Sequence, residues 1–303
     1  MFSALRSFSA EWMPRNGLFE TVAEEIFLWS KGLRQFEPKI KIDVVCGDFR
    51  IRTANDYEDI KKLVKFRHEI FFGSAATSKV LDLDADKYDL IADHLIIEDL
   101  VTHETLGTYR LISSDFSLMF YSESEFNLDS FKFSDGSKLE LGRACVAPRL
   151  RNGVGIGLLW RGVAEYIKNT KPRYLFGCAS LATLDPQAVL IIQSYLLANH
   201  RSSRFRVMPI GKFLNKSTAD VIPDEVPAEH RTKPPANFEY ASQTDGLWKN
   251  IEVPPLLQSY LRMGAKVAGP AAFDKSFGCV DFLTILDLTK LDRAFGRRFL
   301  GIR

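Results

Sequence analysis

Glu140 and Arg143 stand three residues apart in the segment Leu139-Glu140-Leu141-Gly142-Arg143-Ala144-Cys145-Val146, and a short basic link joins them to Arg151-Asn152-Gly153-Val154-Gly155-Ile156-Gly157. A strand carrying one acid and one base thus runs into a glycine-rich turn at a helix N-terminus. Such a turn lets backbone N–H groups approach phosphate or amide oxygens, and the helix end adds positive partial charge. The N–H groups of Cys145 and Val146 at the strand end could stabilise a carbonyl under attack. The layout suits moving an acyl group from a phosphate-bearing thioester to an amine. Gly-rich strand-to-helix turns also arise for purely geometric reasons.

An offset of three puts Glu140 and Arg143 on opposite faces of a regular strand. One extra residue at a β-bulge brings them to the same face, and Gly142 is where a bulge is tolerated. A bulge at or near Gly142 is therefore expected; the bland alternative is two unrelated surface charges. Asp93-His94 opens a strand, where the histidine could orient a substrate or relay a proton, or the pair could be a local cap. Arg110 lies mid-strand, where a charge is rarely left unpaired, and should meet Asp86, Asp89, Glu140 or a substrate carboxylate. Arg67, on a helix beside Phe71, invites the same argument.

These residues need a scaffold. Ile40, Ile42 and Val44 alternate before Gly47-Asp48, and Phe49-Arg50-Ile51-Arg52 resumes the pattern, predicting a hairpin. Asn55 with Glu58 predicts a capped helix over 56–72. Strands are expected at 93–99, 106–113, 139–146, 173–179 and 280–287, and helices over about 155–169, 186–199 and 255–265. Asp185 and Pro186 mark the start of the second of these helices. The order predicts a mixed sheet with helices packed on it. Residues 1–38 read as an N-terminal helical appendage, 39–287 as the main domain with a long irregular segment at 210–254, and 288–303 as a basic amphipathic tail. Either terminal segment could lie on an anionic membrane or pack on the body.

Net charge is +2 and 46% of residues are hydrophobic, which excludes a disordered chain and gives no strong nucleic-acid footprint. Cys46, Cys145, Cys178 and Cys279 are scattered, fit no zinc spacing, and read as reduced thiols in a cytoplasmic protein. No apolar run reaches the roughly 20 residues of a membrane span. Arg201, Arg204, Arg206, Lys212 and Lys216 form a basic stretch that is a solvated face by default and attractive to an acidic partner.

The strand plus glycine turn resembles the acyl-donor motif of the GNAT superfamily. In order, Arg67…Phe71, Asp86…Asp89, Arg110 and Glu140…Arg143 resemble the polar framework of acyl-homoserine-lactone synthases. Further blocks are similar to the ornithine-lipid type N-acyltransferases, sometimes labelled hemolysin-like: Gly107-Thr108-Tyr109-Arg110-Leu111, Phe120-Tyr121-Ser122-Glu123, Leu159-Trp160-Arg161-Gly162, and Pro255 through Ala265. Two departures are Gln258-Ser259, where the family often has Lys-Gly, and Ala144, where it often has Ser.

The resemblance implies a GNAT-like α/β (α+β) fold with a mixed, mostly antiparallel sheet flanked by helices. It implies an enzyme moving a 3-hydroxy fatty acyl group from acyl carrier protein, or from acyl-CoA, to the α-amine of an amino acid, by default ornithine. No permanently bound cofactor or metal is expected. Glu140 would be the base, with His94 as second choice and Asp93 beside it, and Arg143 or Arg110 would hold the substrate carboxylate. Cys145 or Val146 would supply an N–H to the thioester oxygen, Arg151, Gly153, Gly155 and Gly157 would hold the phosphopantetheine arm, and Trp160 would border the acyl channel. A station on the inner membrane surface would follow from the product. A signal synthase using another amine, and a non-catalytic acyl-binding or membrane-active module, are the competing readings.

Overall fold

The computed structural model describes residues 32–73, 83–151, 153–219, 253–291 and Gly296. Eleven strands alternate with helices: β1 (Asp43–Cys46), β2 (Phe49–Thr53), helix α1 (Tyr57–Phe72), β3 (Asp93–Asp99), β4 (Thr105–Ser113), β5 (Phe126–Asn127), β6 (Lys138–Val146), α2 (Val154–Thr170), β7 (Tyr174–Leu181), α3 (Pro186–His200), β8 (Met208–Pro209), α4 (Pro255–Arg262), β9 (Lys266–Val267), β10 (Ala272–Asp274) and β11 (Cys279–Asp287). Nine of them form one sheet in the order β1-β2-β3-β4-β6-β7-β11-β10, with β9 also on β11, while β5 and β8 pair separately. Every neighbouring pair in the large sheet is antiparallel except β6 with β7. A mixed sheet with helices packed on it is what the element order predicts, and the mostly antiparallel pairing is what the GNAT resemblance implies.

Alternation divides the sheet into two faces. Ile51, Leu95, Tyr109, Leu111, Leu139 and Leu141 face α2, where they pack on Leu159, Val163 and Ile167. The opposite face carries Ile96 against Ile60, Leu63 and Val64 of α1, and Ile112 and Phe176 against Phe120, Phe126 and Phe131. This second face also carries the charged residues of the sheet.

Two breaks in the ladder matter most. Thr108 pairs with Cys145 and Arg110 with Gly142, so Tyr109 alone opposes Arg143 and Ala144. That is the extra residue expected near Gly142, although the strained backbone is at Arg143, whose φ is +54°. A left-handed arginine costs on the order of 1–3 kcal/mol and persists only where its surroundings hold it. The second break is between β6 and β7, which pair only from Lys138–Glu140 to Tyr174–Phe176. Beyond them the strands no longer pair, so the edge of β6 at Val146 has no ladder partner in β7.

Other boundaries shift. Asp56, not Asn55, caps α1, because its carboxylate accepts from the N–H of Asp59 at 3.0 Å. The described part of the N-terminal segment is seated on the body: Leu33 and Phe36 are buried against Ile60, Leu63 and Val64, and residues 1–31 lie outside the described residues. Within the irregular stretch, the turn Gly211–Phe213 and the short helix Lys216–Ala219 are ordered, and residues 220–252 lie outside the described residues. Leu288 and Leu291 of the tail pack against the core, and most of the remainder lies outside the described residues.

Candidate active site

His94, Arg110 and Gly142 stand in one cross-strand row on the charged face, with Glu140 opposite Ile112 in the next row. Gly142 contributes no side chain, and the Arg110 side chain lies beside it: a Cβ built there would sit 4.0 Å from Nε of Arg110. Residues 83–92, before β3, pack against this row and supply three aspartates. Asp86 and Asp89 cap its short 3₁₀ turn reciprocally.

Three arginines meet these aspartates. Arg67 donates in parallel to both oxygens of Asp89, each at 2.9 Å, with its Nε 3.0 Å from Asp84. Arg110 donates from Nη1 to Asp86 at 2.7 Å and to Asp89 at 3.3 Å. Arg143 lies 3.3 Å from Asp84 and 3.4 Å from Asp86. Burial alone would raise the Asp89 pKa, but Arg67 and Arg110 hold it well below the usual carboxylate range. The sequence placed Arg67 and Arg110 opposite carboxylates, and Asp89 and Asp86 are those partners. Asp84 is the one that sequence reasoning missed.

Glu140 is 2% exposed and accepts three hydrogen bonds from one turn: Tyr121 N–H at 2.6 Å, Ser122 N–H at 2.7 Å and the Ser122 hydroxyl at 2.5 Å. Burial pushes its carboxyl up, against the pull of the Ser122 and Tyr121 donors. A carboxylate has about four acceptor sites, so capacity remains for one further donor. The same tyrosine forms a floor for both cations, its ring 5.1 Å from the Arg110 guanidinium and 4.9 Å from that of Arg143. Glu140, Arg110 and Arg143 are thus brought together around Tyr121-Ser122, a block the sequence reading quoted without giving it a role.

Other expectations separate from this group. Asp93 points to the opposite face, where its carboxylate accepts from the backbone N–H groups of Lys39 and Ile40 and from the Tyr166 hydroxyl at 2.8 Å. It ties the entering chain to α2, as the parity of β3 dictates. His94 is on the right face but fully buried, its Nε2 3.2 Å from the Asp89 carbonyl. Burial lowers its pKa to about 4, so it is neutral and donates to that carbonyl from beneath the ion cluster. Trp160 is 2% exposed and packs edge-on to Tyr260 at 5.5 Å within the core on the α2 face.

Ladder parity separates Cys145 from Val146. Ala147 N–H donates to the Leu106 carbonyl at 2.8 Å, and β4–β6 pairing is antiparallel, so by alternation Cys145 points its N–H at Thr108 and Val146 points its N–H away from β4, toward the β7 side. The Cys145 side chain is buried, and burial pushes its thiol up to about 12. Beyond the strand, Gly153 takes φ +92° at the head of α2 and offers no side-chain cap. Gly155 is pressed against β6, where a Cβ would sit 2.9 Å from Val146 and 3.0 Å from the Leu150 carbonyl. Gly157 faces open space and Arg151 is exposed beside the turn. These residues set a glycine-rich helix start and a cation just past the end of β6, a surface suited to an amide- and phosphate-bearing arm.

A further carboxylate group was not anticipated. Glu125, Asp274 and Asp281 are buried with ligand atoms within 4.8 Å of one another. Asp281 lies mid-strand in an apolar run, the same signal that flagged Arg110.

Residues 64–161 match the acetyltransferase (GNAT) domain family. The L-ornithine N(alpha)-acyltransferase of Brucella abortus is 29% identical over 82% of this chain and 88% of its own length. That of Rhizobium meliloti is 30% identical over 69% of this chain and 68% of its own length. That of Rhodobacter capsulatus is 26% identical over 79% of this chain and 90% of its own length.

Proposed function

Because the chain belongs to the L-ornithine N(alpha)-acyltransferase family, we propose that it moves a fatty acyl group from a thioester to the α-amine of ornithine, forming an amide and releasing a thiol. The observation that carries this reading is the pairing of two features across β6. At the end of the β6–β7 pairing stand the Val146 N–H, free of the β4 ladder, and the Gly153–Gly157 turn, while the buried Arg110–Arg143–Glu140 group lies on the adjoining strand face.

In this reading the α-carboxylate of the acceptor meets Arg110 and Arg143. The Nη2 of Arg110 is buried without a hydrogen-bond partner among the described residues, and a carboxylate would satisfy it through a charge-assisted bond. The acceptor ammonium must lose a proton before its lone pair attacks the thioester carbon. Glu140 takes that proton, directly or through one water, with its remaining acceptor capacity; such a base contributes typically 10²–10⁴-fold. As the carbonyl carbon becomes tetrahedral its oxygen gains charge, which the Val146 N–H stabilises; losing one such donor costs about 10²–10³ in rate. The C–S bond then breaks and the thiolate takes up a proton.

The donor in our reading is a 3-hydroxyacyl group on the phosphopantetheine of acyl carrier protein, with the arm against Arg151, Gly153, Gly155 and Gly157. The exposed Arg201, Arg204 and Arg206 suit its acidic surface. No helix among the described residues is long and apolar enough to cross a membrane. We place the enzyme in the cytoplasm at the inner membrane surface, where the one-chain product would reside.

Mass spectrometry of lipids from a host given this gene, beside the same host given Glu140→Ala, tests the reaction. A new 3-hydroxyacyl ornithine species lost in the variant is expected. A different acylated amino acid would move the reading to a signal synthase, and none from folded protein would overturn it. Comparing acyl carrier protein and CoA thioesters with purified enzyme identifies the donor. Sedimentation with anionic vesicles, before and after removal of residues 292–303, tests the membrane station.

A further inference from the structure

We propose that Glu125, Asp274 and Asp281 form a pocket for the side-chain ammonium of the acceptor, making the enzyme specific for a basic amino acid. This rests on the reading that the acceptor is ornithine and names the part of the site that would select it.

The three carboxylates come from separate places: Glu125 follows the Tyr121–Ser124 turn, Asp274 ends β10, and Asp281 lies in β11. All are buried, at 0%, 4% and 4% exposure. Local donors hold parts of two of them. Asp274 accepts from the N–H groups of Ser276 and Phe277, and Asp281 from the Ser180 hydroxyl at 2.6 Å. Glu125 differs. Its Oε2 faces the Cys178 thiol at 3.5 Å, while its Oε1 is buried with no hydrogen-bond partner among the described residues. A buried acceptor left unsatisfied costs about 1–3 kcal/mol, which a bound donor would recover.

Among the described residues, no lysine or arginine is in a salt bridge with any of the three. Arg143 acts on Asp281 electrostatically but is already shared between Asp84 and Asp86. Burial followed by the Asp281 charge pushes Glu125 up to about 8, and burial raises Asp281 to about 6. The site therefore lacks a positive charge. An ammonium presents three tetrahedral N–H donors. Acceptors about 2.8 Å from its nitrogen lie about 4.6 Å apart, which fits ligand atoms within 4.8 Å of one another.

Position agrees with chemistry. Tyr121 separates the two charge groups: its ring lies under Arg110 and Arg143, and its hydroxyl is within electrostatic reach of Glu125. Ornithine carries a carboxylate and a distal ammonium five bonds of about 1.5 Å apart, a reach of about 6 Å. One end would lie on the arginines and the other among the acids, with the α-amine between them near Glu140.

The test compares ornithine with norvaline, the same chain without the distal amine, in wild-type enzyme and in Glu125→Gln, Asp281→Asn and Asp274→Asn. Asp274→Asn keeps an acceptor oxygen for its turn and guards against misfolding, and thermal melts are run on each. Wild type is expected to prefer ornithine, and each folded variant to lose about 10- to 100-fold of that preference. Variants that keep the full preference would overturn the pocket while leaving the acyltransferase reading intact. Wild type acylating no amino acid would overturn the reading beneath it. Binding of Mg²⁺, Ca²⁺ or Mn²⁺, measured by calorimetry, lost in the variants without a change in ornithine preference would overturn the ammonium in favour of a metal.

Discussion

The backbone N–H of Tyr121 donates to Glu140 at 2.6 Å while the ring of the same residue lies 4.9 Å from the Arg143 guanidinium. One residue thus fixes the acid by its main chain and the base by its side chain. The bulge at Arg143 makes this possible, because without the extra residue Arg143 would point to the α2 face.

Replacing Glu140 with Gln tests that arrangement. Glutamine presents one acceptor and one donor where the turn requires acceptance at both oxygens, so about 1–3 kcal/mol of stability should be lost. The acylation rate should fall by about 10²–10⁴. Thermal melts and single-turnover assays measure the two losses separately, and a full rate in folded variant would remove Glu140 from the chemistry.

Asp89→Ala removes the shared partner of Arg67 and Arg110, leaving two fully buried guanidinium groups short of a carboxylate. Breaking a buried pair on one side costs about 3–5 kcal/mol. A urea midpoint equal to wild type would show that the cluster does not hold α1 to the sheet.

The glycines of the turn should separate by their surroundings. Gly155→Ala meets the Leu150 carbonyl and Val146 at about 3 Å and must push the turn from β6, so KM for the acyl donor should rise several-fold. Gly157→Ala meets open space and should gain up to about 1 kcal/mol from helix propensity. Melting curves and donor titrations of the two variants give the comparison.

Two buried groups should tilt stability with pH in opposite directions. Folded protein keeps the Glu125 proton up to about pH 8, whereas the unfolded chain releases it near 4.5, so this group lowers stability as pH rises through that window. His94 acts in the opposite sense: the unfolded chain takes a proton below 6.5 and the folded one only near 4, so this group lowers stability as pH drops through that range. The two offset between about pH 4.5 and 6.5, so Glu125→Gln should flatten the fall above 6.5 and uncover the His94 fall below it. Denaturation at pH 5, 6.5 and 8 measures this, and an unchanged alkaline slope would refute it.

Much of this was legible along the chain because it depends on near neighbours. Period-two and helical patterns located the longer strands and the main helices but not the short strands β5, β8, β9 and β10, and Pro186 after Asp185 marked the start of α3. The offset of three between Glu140 and Arg143, with glycine between them, made the bulge readable as a parity requirement. A charge inside an apolar strand required a partner, and Arg110 has two.

The tertiary structure decided what depends on contacts between distant segments. Asp93 and His94 are adjacent in sequence, yet strand alternation sends one to α2 and the other beneath the ion cluster. Trp160 fits a channel wall and a core equally well from its own helix, and only Tyr260, 100 residues later, settles it. Glu125, Asp274 and Asp281 meet because β11 pairs with both β7 and β10 beneath the Tyr121 turn. Local propensity acts over a few residues, so the sequence by itself determined the elements and the face each side chain takes. Which charges meet was set by sheet order, through pairings that span more than a hundred residues.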